Sequence, residues 1–337
     1  MSALRWHAPT FAAWGCARGT ITDRERLGLP DRFHETDLQS AVTRDTAALR
    51  QAPVAVLLRV IAGADATLPA RIAAGNLLAL AGDPRIDPLA PAMCDVPGGT
   101  VYIGLDPARI DAVTDAFADL GIDRGWIAKE APRHAVTLAP YRIARFPVTN
   151  AEYRLFLTET GHPGLPGSWA FRRYPAERGN HPVYTVGATD ADDYAAWLAA
   201  RTGRGFRLPS EAEWEHAAAG PHGRTYPWGD LWDPARANTC ECGLLDTAPV
   251  GAFAGGAAWC GALDMGGNVE EYVADDYAAY PGGAVVTDDL AQIHGTYRMA
   301  RGGAFSRFRD LARTRRRHGH NPRSATYAMG FRLAESL

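Results

Sequence analysis

Gly205-Phe206-Arg207-Leu208-Pro209-Ser210-Glu211-Ala212-Glu213-Trp214-Glu215-His216-Ala217-Ala218 joins a strand end, a turn and a capped helix in one short stretch. Pro209 suits the position just before a helix, and Ser210 is a good N-cap. Glu213, three residues on, completes a capping box, and Glu211 is favoured by the helix dipole. Alone, the stretch is a well-capped helix; its companions along the chain say more.

Those companions begin with Val96-Pro97-Gly98-Gly99-Thr100-Val101-Tyr102-Ile103-Gly104, a strand and turn. Glu130 to Val136 and Phe146 to Tyr153 follow, where a strand hands over to a long helix that Thr149 or Asn150 caps. Then come Tyr226-Pro227-Trp228-Gly229-Asp230, Met265 to Tyr272, Arg301-Gly302-Gly303-Ala304-Phe305 and Met329-Gly330-Phe331-Arg332-Leu333. In this order the blocks resemble the formylglycine-generating-enzyme-like family, also called the sulfatase-modifying-factor domain, from about residue 94 to the C-terminus. The resemblance implies an α+β fold of C-type-lectin-like, formylglycine-generating-enzyme type. Such a fold is loop-rich, and it suits a chain with 35 Gly and 23 Pro.

The first ninety or so residues read differently. Apolar positions recur at helical spacing in Leu38 to Leu49, Val54 to Ile61 and Leu68 to Leu80, which predicts a small all-α N-terminal domain. Ala70 to Arg85 resembles one unit of a helical repeat, which cannot bury its own face and must pack on its neighbours. Pro84, Pro88 and Pro91 mark a linker. The expected division is 1–91 for the helical domain and 92–337 for the larger one.

Hydrophobic content of 47% with 9 Trp, 12 Tyr and 11 Phe can build a sizeable core. Trp169, Trp197, Trp214, Trp228 and Trp259 are expected in it. A net charge of −3 argues against general affinity for nucleic acid or membranes. The N-terminus shows no basic segment followed by an apolar run, and no stretch of 18 apolar residues occurs, so a cytoplasmic protein is expected. Cys16, Cys94, Cys240, Cys242 and Cys260 are an odd count without a disulfide scaffold's spacing, and reduced thiols are expected. Zinc on Cys240, Cys242 and Cys260 is a weaker alternative, because C-x-C lacks a second paired set.

The chain departs from the catalytic members of the resembled family where chemistry would be done. The copper-binding cysteines of the formylglycine-forming enzymes fall at Arg307 and Ala312, and neither residue ligates copper. The sulfoxide synthases of that superfamily carry a His-x-x-x-His-x-Glu iron motif in an N-terminal helical bundle; here only His7 and His34 lie in that region, without the spacing. No copper or iron is expected. An atypical metal site with ligands drawn from His318, His320, Cys240, Cys242 and Cys260 remains as an alternative reading, which would make the protein an oxidoreductase. Calcium is implied by the resemblance as a structural ion held by Asn268, Val269 and Glu271, with carbonyls such as that of Gly267. A second calcium loop, beginning at Asn238, is shortened and leaves only Asp246.

From Arg298 to Arg323 the sequence is dense in arginine, with Asp310 as its one acid. Arg301, Arg313, Arg317 and Arg332 fall where the family places arginine, and are expected to pair with inward carboxylates. Arg307, Arg309, Arg315, Arg316 and Arg323, with His318 and His320, are left as candidates for contact with a partner, since guanidinium groups grip carboxylate and phosphate bidentately. The expected function is therefore that of a catalytically inactive member that binds another protein. The partner class favoured is a secreted toxin, such as a type VI secretion effector, with this chain as its immunity protein. Against a nuclease it would have to act through shape or through local acids such as Asp190, Asp192, Asp193, Asp275 and Asp276. A receptor with a diversified final segment is a third reading, disfavoured by the arginine-rich composition there.

Overall fold

The computed structural model describes residues 35–63, 65–320 and 327–337. Three N-terminal helices, α1 (Asp37–Leu49), α2 (Val54–Ala62) and α3 (Leu68–Ala81), match the expected helical segments to within a residue or two. Thr36 opens α1 with a capping box to Gln39, and the Thr67 side chain caps α3. Leu57 and Ile61 of α2 close on Ala74 and Leu78 of α3. The other face of α3 is not left open: Ile72 packs with Ala248, Ala252 and Phe253 of the larger domain. Gly75 marks the closest approach, since a Cβ there would lie 2.4 Å from Pro249 Cβ. The proline-marked linker is itself anchored, with Asp83 accepting from Asn180 Nδ2 at 2.6 Å and Arg85 donating to the Val250 carbonyl at 3.0 Å.

The larger domain is α+β, as expected. Its strands are β1 (Met93–Val96), β2 (Gly99–Ile103), β3 (His134–Leu138), β4 (Tyr141–Ala144), β5 (Gly205–Arg207), β6 (Glu270–Asp276), β7 (Arg298–Arg301), β8 (His318–Gly319), β9 (Met329–Phe331) and β10 (Ala334–Ser336). Among the described residues they form sheets in the orders β1-β4-β10-β5, β2-β3 and β8-β7-β6-β9. Between them lie α4 (Ile110–Ala116), α5 (Arg124–Ala128), α6 (Asn150–Thr160), α7 (Ala188–Thr202), α8 (Glu211–Ala219) and α9 (Asp289–His294).

The stretch at 205–218 folds as its residues direct. Ser210 Oγ accepts from the Glu213 N–H at 3.2 Å while Glu213 Oε2 accepts from the Ser210 N–H at 2.8 Å. The helix that follows is buried almost all round, Trp214 completely, so its acids must find partners inside the protein. Glu213 finds Arg207, both arms at 2.7 Å. Two apolar cores flank this helix system: Tyr153, Phe156, Tyr194, Leu198 and Phe331 build one, and Ile143, Trp214, Met265 and Met299 belong to the other. The parallel pairing of β6 with β9, Glu271 opposite Gly330, carries the C-terminal segment across the domain. That crossing sets Arg332 beside Glu271.

Candidate functional site

The arginine-rich segment turns inward. Arg301, fully buried, reaches Glu211 at 3.0 Å and Glu215 at 2.8 Å and donates to Tyr280 Oη at 2.9 Å. Arg317 holds both oxygens of Glu211 at 2.8 Å, Arg313 grips Glu130 bidentately at 2.6 and 2.8 Å, and Arg332 grips Glu271 with both bonds at 2.6 Å. Each carboxylate sits where water cannot solvate it, so the guanidinium fork is the element that permits its charge.

The segment's other arginines correct the expected contact surface. Arg316 is 3% exposed, pairs with Asp310 at 3.3 Å and lies over the Trp126 ring, so it cannot meet a partner. Arg307 is largely enclosed too. Its guanidinium stands 3.8 Å over the Tyr327 ring and 3.2 Å from Glu270. Arg309 reaches Asp119 at 2.7 Å, and Arg315 is braced by two of its five donors on the carbonyls of Gly104 and Gly223. Arg323 lies outside the described residues. Periodicity could not reveal this inward turn, because the carboxylates come from distant parts of the chain.

Glu270 is the hub beneath Arg307. Its other oxygen meets His318 Nδ1 at 2.6 Å, and the His318 ring stacks on Tyr327 at 5.3 Å, with His320 edge-on to Tyr327 at 5.8 Å. Burial pushes the Glu270 carboxyl up, but His318 and Arg307 pull it further down, to about 2. Burial also lowers the His318 pKa, against the pull of Glu270. A permanent cation, a carboxylate and an imidazole thus satisfy one another at the position where the resemblance places a metal-binding cysteine. Ala312, the other such position, is fully buried.

The metal-ligand candidates do not assemble into a coordination shell. Asn268 Oδ1 accepts from the Ala248 N–H at 2.9 Å and from Asn238 Nδ2 at 3.1 Å, while Glu271 takes Arg332 on both oxygens and Trp214 Nε1 on one, at 2.6 Å. Val269 is fully buried beside them. With those oxygens engaged by protein donors, the arrangement does not fit the calcium ion that the resemblance implies. The cysteines do not converge either: Cys240 donates to Phe305 O, Cys242 to Asn238 Oδ1 and Cys260 to Ala217 O. Among the described residues no group of three or more His, Cys, Asp or Glu is placed to hold a metal.

A separate recess lies in the loop around residues 168–178. A cavity of 510 Å³ is lined by Trp169, Phe171, Tyr174, Arg173, Arg178 and Tyr184, among others. Trp169 is pinned from behind by its indole N–H to Asn150 Oδ1 at 2.7 Å and meets Tyr174 edge to face at 5.5 Å. Phe171 is 96% exposed, and it and Arg172 adopt φ of 55° and 59°. Left-handed backbone at consecutive non-glycine residues is strained, and such strain persists where the surroundings enforce it, often at binding sites. Tyr184 links this recess to the arginine segment by packing edge-on against Phe305 at 5.6 Å. The one signal in the sequence was the run Phe171-Arg172-Arg173-Tyr174.

Residues 81–337 match the sulfatase-modifying factor enzyme 1-like domain, and the chain belongs to that family. It is 31% identical to a formylglycine-generating enzyme of Thermomonospora curvata, over 74% of this chain and 96% of that one. It is also 31% identical to a hercynine oxygenase of Mycolicibacterium thermoresistibile over 64% of this chain, and spans only 55% of that relative's length. The inactive C-alpha-formylglycine-generating enzyme 2 of Mus musculus is 31% identical, over 73% of this chain and 86% of that one. Among solved structures, PvdO from Pseudomonas aeruginosa superposes with a TM-score of 0.54 at 27% identity, covering 74% of this chain and 95% of that one. The family therefore holds both proteins named for oxidative chemistry and one named as inactive.

Proposed function

We propose that the protein is a non-oxidising member of this family that binds another protein, with a secreted bacterial toxin such as a type VI effector as the partner class and the cytoplasm as its compartment. The observation that carries the non-oxidising part is the Arg307–Glu270–His318 cluster, in which a guanidinium stands where copper chemistry needs a thiolate. A fixed cation at that point disfavours a second cation beside it. The mouse relative named as inactive lends support to a family role without oxidation. The recognition face in this reading is the recess beneath Phe171. Exposed and held aromatic side chains, with Arg173 and Arg178 beside them, match the composition of interface hot spots.

Two measurements test the reading. Elemental analysis of the purified, dialysed protein is expected to find less than about a tenth of an equivalent of copper or iron; a full equivalent of either overturns the non-oxidising part. Co-expression with each secreted toxin of the producing cell is expected to find one that is neutralised and co-elutes as a complex, with Phe171→Asp abolishing both. Neutralisation of none overturns the toxin assignment.

A further inference from the structure

Arg315 stands apart in its segment. Every other arginine from Arg298 to Arg317 lies within 3.3 Å of a carboxylate oxygen. Arg315 has only carbonyls: Nε donates to Gly104 O at 3.1 Å and Nη2 to Gly223 O at 2.5 Å. The side chain is thereby fixed without a direct ion pair; the Asp230 carboxylate feels its charge, after the Thr225 hydrogen bonds, but does not pair with it. Gly223, at φ 65°, permits the brace, because a Cβ there would stand 2.5 Å from Arg315 Nη2.

That charge faces company of its own sign. Arg315 lines a cavity of 230 Å³ with Arg109, Arg133 and His222. Arg133 is also held, its guanidinium 4.3 Å over the Tyr102 ring. Among the described residues neither Arg109 nor Arg133 meets a carboxylate, and the one acid at the cavity, Asp106, accepts from the Ala108 N–H at 3.0 Å. Three guanidiniums around one small recess repel one another unless an anion joins them. Guanidinium forks match the oxygens of a tetrahedral oxyanion two at a time, and the charge ratio favours a dianion over a single carboxylate.

We propose that this cavity binds a phosphoryl group, as free phosphate or as the phosphomonoester end of a small molecule. It shares no lining residue with the recess beneath Phe171, so the site stands or falls independently of the partner reading. Arg315 supplies the fixed floor, and Arg109 and Arg133 close on the anion from the rim.

Isothermal titration of the full chain with inorganic phosphate and with O-phosphoserine, against chloride at matched ionic strength, tests the site. Saturable binding of phosphate or phosphoserine is expected, and the Arg109→Gln/Arg133→Gln variant, both sites exposed, is expected to bind at least about ten-fold more weakly with an unchanged melting temperature. Tighter binding of phosphoserine assigns the site to an ester, and equal binding to free phosphate. If the double variant does not fold, Arg109→Gln alone is read for the same loss. No saturable response to either anion, or a folded variant binding within about two-fold of the parent, overturns the proposal.

Discussion

Glu271 and Arg332 form a two-pronged ion pair, both bonds at 2.6 Å, and neither side chain is more than 1% exposed. Removing one member of such a pair leaves a buried charge with no counter-ion. Arg332→Ala is expected to cost about 3–5 kcal/mol of stability. By contrast, Arg309→Ala breaks a pair whose Asp119 carboxylate is half in water and should cost under about 1 kcal/mol. Urea midpoints of the two variants check the contrast; equal losses would mean that burial does not rank these pairs.

The seam between the helices and the larger domain carries a pH response. His181 is buried, with Nδ1 3.0 Å from Thr247 Oγ1 and Nε2 3.1 Å from Asn76 Oδ1, and burial, with Arg178 nearby, lowers its pKa to about 3. The unfolded chain takes up a proton near the ordinary histidine value of about 6.5, well before the folded one does. Stability present above that value is therefore lost as the pH falls towards 3, by up to about 1.4 kcal/mol per pH unit. Melting temperatures from pH 7 to pH 4 should fall more steeply for the parent than for His181→Gln, which cannot titrate.

Gly75 tests how α3 is seated. On an isolated helix Gly→Ala would add about 1 kcal/mol of stability. Here the new methyl would stand 2.4 Å from Pro249 and 2.9 Å from Ile61 Cδ1. Gly75→Ala is expected to lower stability by about 1–3 kcal/mol through that overlap, and limited proteolysis should then cut first at the α3 junction.

Phe171 separates folding from recognition. A left-handed φ of 55° costs a phenylalanine energy that glycine does not spend. Phe171→Gly is expected to raise stability by roughly 0.5–1 kcal/mol while weakening partner binding at least ten-fold. A destabilised variant in thermal melts would show that the aromatic ring is packed in solution.

Much of this architecture is legible in the chain. Ser210 and Glu213 announce α8, and apolar spacing marks the three N-terminal helices, because caps and periodicity are local signals. The family blocks locate the buried arginines Arg301, Arg313, Arg317 and Arg332. What local reading could not separate was Arg316 from Arg315, adjacent residues of one type. One turns to Asp310 and burial, the other to two carbonyls and a cavity wall, and the choice is made by Gly104 and Gly223, far away in sequence. The recess at Phe171 was equally hidden, since a strained loop has no period.

Glu130, just after α5, and the acids of α8 and β6 impose an order on the making of the protein. Glu130 waits for an arginine 183 residues later, Glu211 for one 106 residues later and Glu271 for one 61 residues later. As synthesis proceeds from the N-terminus, these carboxylates emerge long before the guanidiniums that neutralise them. The centre of the domain cannot close dry until residues 301–332 arrive. This later-made segment therefore acts as the keystone, and a nascent chain stalled before it would hold an acidic, hydrated interior open to proteases.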